Sequence, residues 1–317
     1  MSSSPAALRA GQTSVAIVGA GAMGCLFAAR LAEQGVRVTV ADVDQERLSI
    51  IGRDGITLTD DNGSRTVAVR ASLANEITAP VDLLVLFTKG THSAAAIRSV
   101  AHLAAAKPIA LTLQNGIGNA DLLAATFGAE QVLLGTAHVP ADLTAAASVL
   151  THGFGTIEIG GFTPTAHAFA PTVAALLQSA AFNTHVAADI NASVWEKVAF
   201  NAALNAVGMI CQVSNAGVDN DPGRRLAVKV VDETARVAAA SGIRIDRDRI
   251  VATIDAALRE HAHHKASMLQ DRERGRLTEI DMINGAIARE GTRLGVPTPV
   301  CDTLTDLVKI IERAPRA

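Results

Sequence analysis

The chain has 317 residues, 49% of them apolar and 19% charged, with a net charge of -3. This describes an ordinary globular protein, long enough for two domains. A near-neutral charge with one Trp and no Tyr gives no electrostatic or base-stacking case for nucleic acid. The three cysteines, Cys25, Cys211 and Cys301, lie far apart without a CxxC pair, so neither a disulfide framework nor a zinc knuckle is expected.

The N-terminus "MSSSPAALRAGQT" has no long apolar core and reads as a loose tail over residues 1–13 rather than a signal peptide. "SVAIV" (14–18) then leads through "GAGAMG" into "CLFAARLAEQG", which gives strand, glycine turn and helix. "VRVTVAD" (36–42) supplies a second strand. "VDLLVLFTKG" and "KPIALTLQNG" are apolar runs of the kind found in strands buried on both faces, which implies a parallel sheet under helices. "VLLGTAHV" and "SVLTHGFGTIEIG" read as strands toward the far edge of that sheet. Beyond Asp189 the periodicity is helical in four long segments. The predicted fold is an α/β Rossmann-type domain over 14–187 followed by an all-helical domain over 188–317. No window is apolar enough to span a bilayer, and a cytoplasmic setting is expected.

Gly19, Gly21 and Gly24 form GxGxxG between a strand and a helix, with Asp42 at the end of the next strand. That context is what a dinucleotide fingerprint requires, and it makes Gly19, Gly21, Ala22, Met23, Gly24 and Asp42 candidate cofactor contacts. The plainer alternative is a tight turn without a ligand. Lys89 and Asn115 follow the next two apolar strands, on the edge where open parallel sheets bind ligands. Each alone reads as a solvated lysine and a turn asparagine.

In "WEKVAFNAALNAVG", Lys197, Asn201 and Asn205 recur at four-residue spacing within an apolar helix. They share one face. A solvated stripe usually mixes Glu and Lys, whereas asparagine is a mediocre helix former. The stripe therefore reads either as solvent-facing or as polar groups aimed at a ligand, with a shielded lysine suited to proton donation. Downstream, Ser267 and Glu279 stand out, and Glu279 with Asp281 is expected to open an amphipathic helix. His261, His263 and His264 are expected on a helix surface. No metal site is expected, because no acidic or cysteine partner has ligand spacing.

Taken together, "VAIVGAGAMG", "LTLQNGIGN", "WEKVAFNAALNAV", "SMLQDRERGRLTEIDMINGAI" and "GVPTPV" resemble the ketopantoate reductase (2-dehydropantoate 2-reductase) family along nearly the whole chain. The resemblance implies a catalytic acid–base at Lys197 and substrate contacts from Asn201, Asn205 and Ser267. It also implies a substrate and cofactor contact from Asn115, a catalytic carboxylate at Glu279 and a cofactor lysine at Lys89. It further places the stripe toward an interdomain cleft. The activity it implies is hydride transfer between a nicotinamide and a 2-keto acid, 2-dehydropantoate to (R)-pantoate in pantothenate biosynthesis, by a homodimer. The chain departs from the family at the end of the second strand, where NADPH-using members carry arginine and this one has Asp42 and Asp44, with Arg47 expected one helical turn too far on. NAD(H) is therefore expected over NADP(H). The alternatives are an NAD-dependent dehydrogenase of another D-2-hydroxy acid and a non-catalytic NAD-binding module.

Overall fold

The computed structural model describes Leu8 and residues 11–78, 80–153 and 155–314. The chain forms two compact units. The first runs to Gln114 and resumes over Asn119–Ile190, and the second holds Asn115–Gly118 together with the chain from Asn191 onward.

The first unit contains β1 (Ser14–Val18), β2 (Arg37–Ala41), β3 (Ile56–Asp60), β4 (Gly63–Val67), β5 (Arg70–Ser72), β6 (Leu83–Leu86), β7 (Ile109–Thr112), β8 (Val132–His138), β9 (Asp142–Ala145), β10 (Ser148–Leu150), β11 (Thr156–Gly161) and β12 (Asn183–Val186). Its helices are α1 (Ala22–Glu33), α2 (Gln45–Asp54), α3 (Ser93–Ser99), α4 (Asn119–Phe127), α5 (Pro164–His167) and α6 (Ala170–Ser179). The main sheet has the order β12-β11-β8-β7-β6-β1-β2-β5. Its pairs are parallel except β11 against β8. Every residue of β6 and β7 is buried, as apolar runs without alternation require. The strand order reverses at β1, the position where open sheets of this kind bind ligands.

A second sheet of order β4-β3-β10-β9 is absent from the sequence reading. It claims "SVL", which was expected at the edge of the main sheet and pairs with β3 instead. This sheet packs on α1. Seven of the twelve α1 residues are buried, Gly24 to Ala29 and Leu31, which explains a helix apolar almost all round. The expected loose tail through residue 13 also needs correction at its end. Gly11 N–H donates to Gly35, Arg37 donates to the Thr13 carbonyl from its backbone and to Gln12 from its side chain, and Thr13 is buried. Residues 1–7, 9 and 10 of that tail lie outside the described residues.

The second unit is built from α7 (Ile190–Cys211), α8 (Asn215–Val218), α9 (Asp221–Ala240), α10 (Arg247–Glu260), α11 (Ser267–Glu273), α12 (Asn284–Leu294) and α13 (Pro299–Arg313). No strand follows β12 among the described residues. The Asn220 and Asp246 side chains cap α9 and α10, accepting from Gly223 and Arg249 N–H. α7 is the buried helix of this unit: Trp195, Val198, Ala199, Ala202, Ala203, Leu204, Ala206, Val207 and Met209 all enter one apolar core. α10 ends at Glu260, so the three histidines lie in the following turn and not on a helix.

Candidate active site

On the first unit, the chain turns from β1 through Gly19, Ala20 and Gly21 into α1. Gly19 has φ +108°, and a Cβ on Gly24 would lie 1.8 Å from the Gly19 carbonyl oxygen, so turn and helix meet at a distance only glycine allows. Gly21 is different: a Cβ there would meet nothing within 4 Å. It is also the N-cap of α1, with no side chain capping the first-turn N–H groups around Ala22 and Met23. An open glycine beside uncapped N–H groups fits the pyrophosphate of a dinucleotide, by hydrogen bonding and by the helix dipole.

Asp42 braces this loop. Its Oδ2 accepts from Ala20 N–H at 2.6 Å, and its Oδ1 accepts from Val43 and Asp44 N–H at 2.8 and 3.1 Å. Three backbone donors hold the side chain beside the loop and leave part of its accepting capacity open. Arg47 is nearer than the sequence reading put it. Its Nη1 donates to the Ala20 carbonyl at 3.1 Å, and its Nη2 lies 3.7 Å from Asp44. One helical turn is spanned by the length of the arginine stem. Arg65, another cation of this unit, is held by Glu33 and Asp60 instead. Lys89 stands at the N-cap position of the short 3₁₀ turn after β6, without a side-chain capping bond, and is half-buried.

On the second unit, Lys197, Asn201 and Asn205 lie on α7, with Asn205 buried and the other two partly so. Burial pushes the Lys197 pKa from 10.5 down to about 8, and the Glu279 charge works against that shift. Asn205 Nδ2 donates to Ser267 Oγ at 3.2 Å, joining the stripe to the first residue of α11. Glu279 is buried, and its Oε2 lies 3.5 Å from Asn115 Nδ2. The stripe, Ser267, Glu279 and Asn115 therefore belong to one unit.

Two details were not legible in the sequence. Chain order assigns Asn115 to the first domain, yet its turn packs with the helices. Ile117 N–H donates to the Met282 carbonyl at 2.9 Å, and a Cβ on Gly116 (φ +95°) would lie 2.3 Å from that same oxygen. Glu279 also does not open a long helix. A 3₁₀ turn over Ile280–Met282 intervenes, and α12 starts only at Asn284, after Ile283 takes ψ −97°. Among the described residues no three His, Cys, Asp or Glu side chains gather as a metal site needs, and no helix is long and apolar enough to cross a membrane.

A glycine loop at the switch point of a parallel sheet, and a helical unit with a lysine brought toward neutrality beside a carboxylate, define a nicotinamide-dependent oxidoreductase. The sequence pattern described as "Ketopantoate reductase PanE/ApbA" matches residues 15–164, and that of "Ketopantoate reductase PanE/ApbA C terminal" matches residues 189–312. A 2-dehydropantoate 2-reductase from Halobacterium salinarum is 32% identical over 94% of this chain and 99% of its own. The chain belongs to the ketopantoate reductase family. Its backbone is similar to the ternary structure of D-mandelate dehydrogenase with NADH and anilino(oxo)acetate, with a TM-score of 0.90 at 30% identity over 95% of this chain and 98% of that one. It is also similar to 2-dehydropantoate 2-reductase from Geobacter metallireducens, with a TM-score of 0.84 at 28% identity over 94% and 99%.

Proposed function

We propose that the protein reduces a 2-keto acid to the 2-hydroxy acid, with 2-dehydropantoate as the first substrate to test and NADH as the preferred reductant. The observation that carries this reading is the Lys197 ammonium, pushed down to about 8 by burial and faced by Glu279. Such a group is still mostly protonated at neutral pH and releases its proton readily. The bound dinucleotide supplies the hydride.

The chain's own residues do the rest. Lys197 hydrogen-bonds the keto oxygen, stabilises the charge that develops there, and delivers the proton. Ser267, oriented by Asn205, and Asn115, oriented by Glu279, hold the carboxylate and keto groups in the polar part of the site. Asn201 lies between Lys197 and Asn205 on the same face and completes the polar wall. Glu279 keeps Lys197 in its charged form and accepts from a hydroxyl of the substrate. Asp42 favours NADH, because its carboxylate accepts from ribose hydroxyls and repels a 2′-phosphate. A homodimer in the cytoplasm belongs to the same reading, and analytical ultracentrifugation reads its mass.

A second reading has a specific support. The D-mandelate dehydrogenase complex holds NADH, and Asp42 suits the same cofactor, which favours an NAD-linked dehydrogenase of another D-2-hydroxy acid. NADH oxidation measured against a panel of 2-keto acids, from 2-dehydropantoate to aryl-substituted members, separates the two. The greatest kcat/KM on 2-dehydropantoate supports the first reading, an aryl or alkyl keto acid ahead of it supports the second, and no turnover on any member leaves only a binding module.

A further inference from the structure

Asn284 opens α12 and is 0% exposed. Its Nδ2 donates to the Ala202 carbonyl of α7 at 3.0 Å. Its Oδ1 is enclosed and accepts no hydrogen bond from any protein group among the described residues. An enclosed amide oxygen without a donor costs about 1–3 kcal/mol. Turning the amide over would set its oxygen against the Ala202 oxygen, so the orientation is dictated by its one partner. An apolar side chain would avoid the cost, and packing alone therefore does not account for an asparagine here.

Its neighbours do account for it. Ala202 follows Asn201 and precedes Asn205 by three residues, on the helix that carries Lys197. Five residues before Asn284 stands Glu279, and the segment between them is the 3₁₀ turn whose Met282 carbonyl accepts from Ile117 N–H. The Glu279 segment is thus tied on one side to the Asn115 turn and on the other, through Asn284, to α7. We propose that Asn284 is a positioning residue: by pinning the Glu279 segment to the Ala202 carbonyl it fixes the Glu279 carboxylate relative to Lys197. It acts through that carboxylate and not on substrate, and the assignment rests on the acid role given to Lys197 above. Glu279 is a charged group acting on Lys197, and the adjacent Glu196 is engaged by Arg249 and by Asp246 N–H.

The test compares Asn284→Ala, Glu279→Ala, their double variant and Asn284→Asp. Loss of positioning in Asn284→Ala lowers kcat/KM for keto-acid reduction by about 10- to 100-fold. Lys197 loses carboxylate support, so the limb on which kcat/KM falls with rising pH moves to lower pH. Glu279→Ala moves it the same way, and the double variant moves it no further than Glu279→Ala alone. Asn284→Asp gives the rescue: its protonated carboxyl can donate to Ala202 and its ionised form cannot, so it approaches wild type at low pH and departs from it as pH rises. A lowered unfolding midpoint with the limb unmoved, or limb shifts that add in the double variant, would overturn the proposal. The Lys197 titration is also followed without turnover, from ¹³C-lysine ε-methylene resonances assigned by their loss in Lys197→Met. Inactivity on every keto acid would therefore count against the reductase reading alone, while the resonance shift still decides the role of Asn284.

Discussion

Asp42 and Arg47 set opposite charges beside the same loop. Asp42 accepts from three backbone N–H groups, and Arg47 grips the Ala20 carbonyl. The carboxylate opposes a 2′-phosphate and the guanidinium offsets it, so NADH should win by about tenfold, which corresponds to about 1.4 kcal/mol. Because Asp42 also braces the loop, asparagine is a cleaner replacement than arginine. Asp42→Asn should shrink the ratio of kcat/KM for NADH over NADPH, and Arg47→Ala should widen it. A wild type that prefers NADPH, with the ratio unmoved in Asp42→Asn, would show that this carboxylate does not read the ribose. Glu279 carries a second prediction at this scale. In Glu279→Ala, keto acids with a hydroxyl beyond the keto group should lose more kcat/KM than those without one. Equal losses on both would mean that Glu279 acts through Lys197 and recognises no hydroxyl.

The elements explain why some of these residues were legible and others were not. The four-residue spacing of Lys197, Asn201 and Asn205 could be read directly, because a helix puts i and i+4 on one face whatever surrounds it. Local signals failed where tertiary contacts decide. The strands of the second sheet are short, and β4 is largely exposed, so alternation was too weak to reveal them. The turn at Asn115–Gly118 looked like any Asn-Gly turn, and its docking on Met282 is a contact across more than 160 residues. Asn284 carried a signal of the kind seen in α7, an asparagine in an apolar run, but without a repeat it did not stand out. The Gly116 contact makes an element-scale prediction. Gly116→Ala places a methyl 2.3 Å from the Met282 oxygen at a φ that alanine rarely adopts, so the turn must shift. Turnover should fall by about 10- to 100-fold as Asn115 is displaced. Retained turnover would show that the turn tolerates displacement.

At the scale of the molecule, chain order gave the sequence of folds, sheet unit then helical unit, but not the boundary. The segment 115–118 belongs with the helices although it lies deep inside the first half of the chain. A buried ammonium also has a consequence for the whole second unit. Lys197 titrates at about 8 in the folded protein and near 10.5 when exposed. Between those values the unfolded chain binds the proton that the folded one has released, so this group's contribution to stability rises with pH across that window. Below about 8 both states hold the proton and the cost of burying the charge is fully present. Urea unfolding followed by the fluorescence of Trp195, two residues before Lys197 on α7, should therefore show Lys197→Met gaining most over wild type near pH 7 and losing that advantage as pH approaches 10. A difference independent of pH would mean that the ammonium is not held out of water.

The central claim is that Lys197 is the proton donor for reduction of a keto acid, and the pH dependence of kcat/KM tests it most directly. Wild type should fall off with rising pH through a single ionisation at about 8, as the ammonium loses the proton it must deliver. Lys197→Ala should retain dinucleotide affinity, lose about 10²- to 10⁴-fold in turnover, and no longer show that limb. A variant that keeps more than about a tenth of wild-type turnover, or that keeps the limb, would contradict the account.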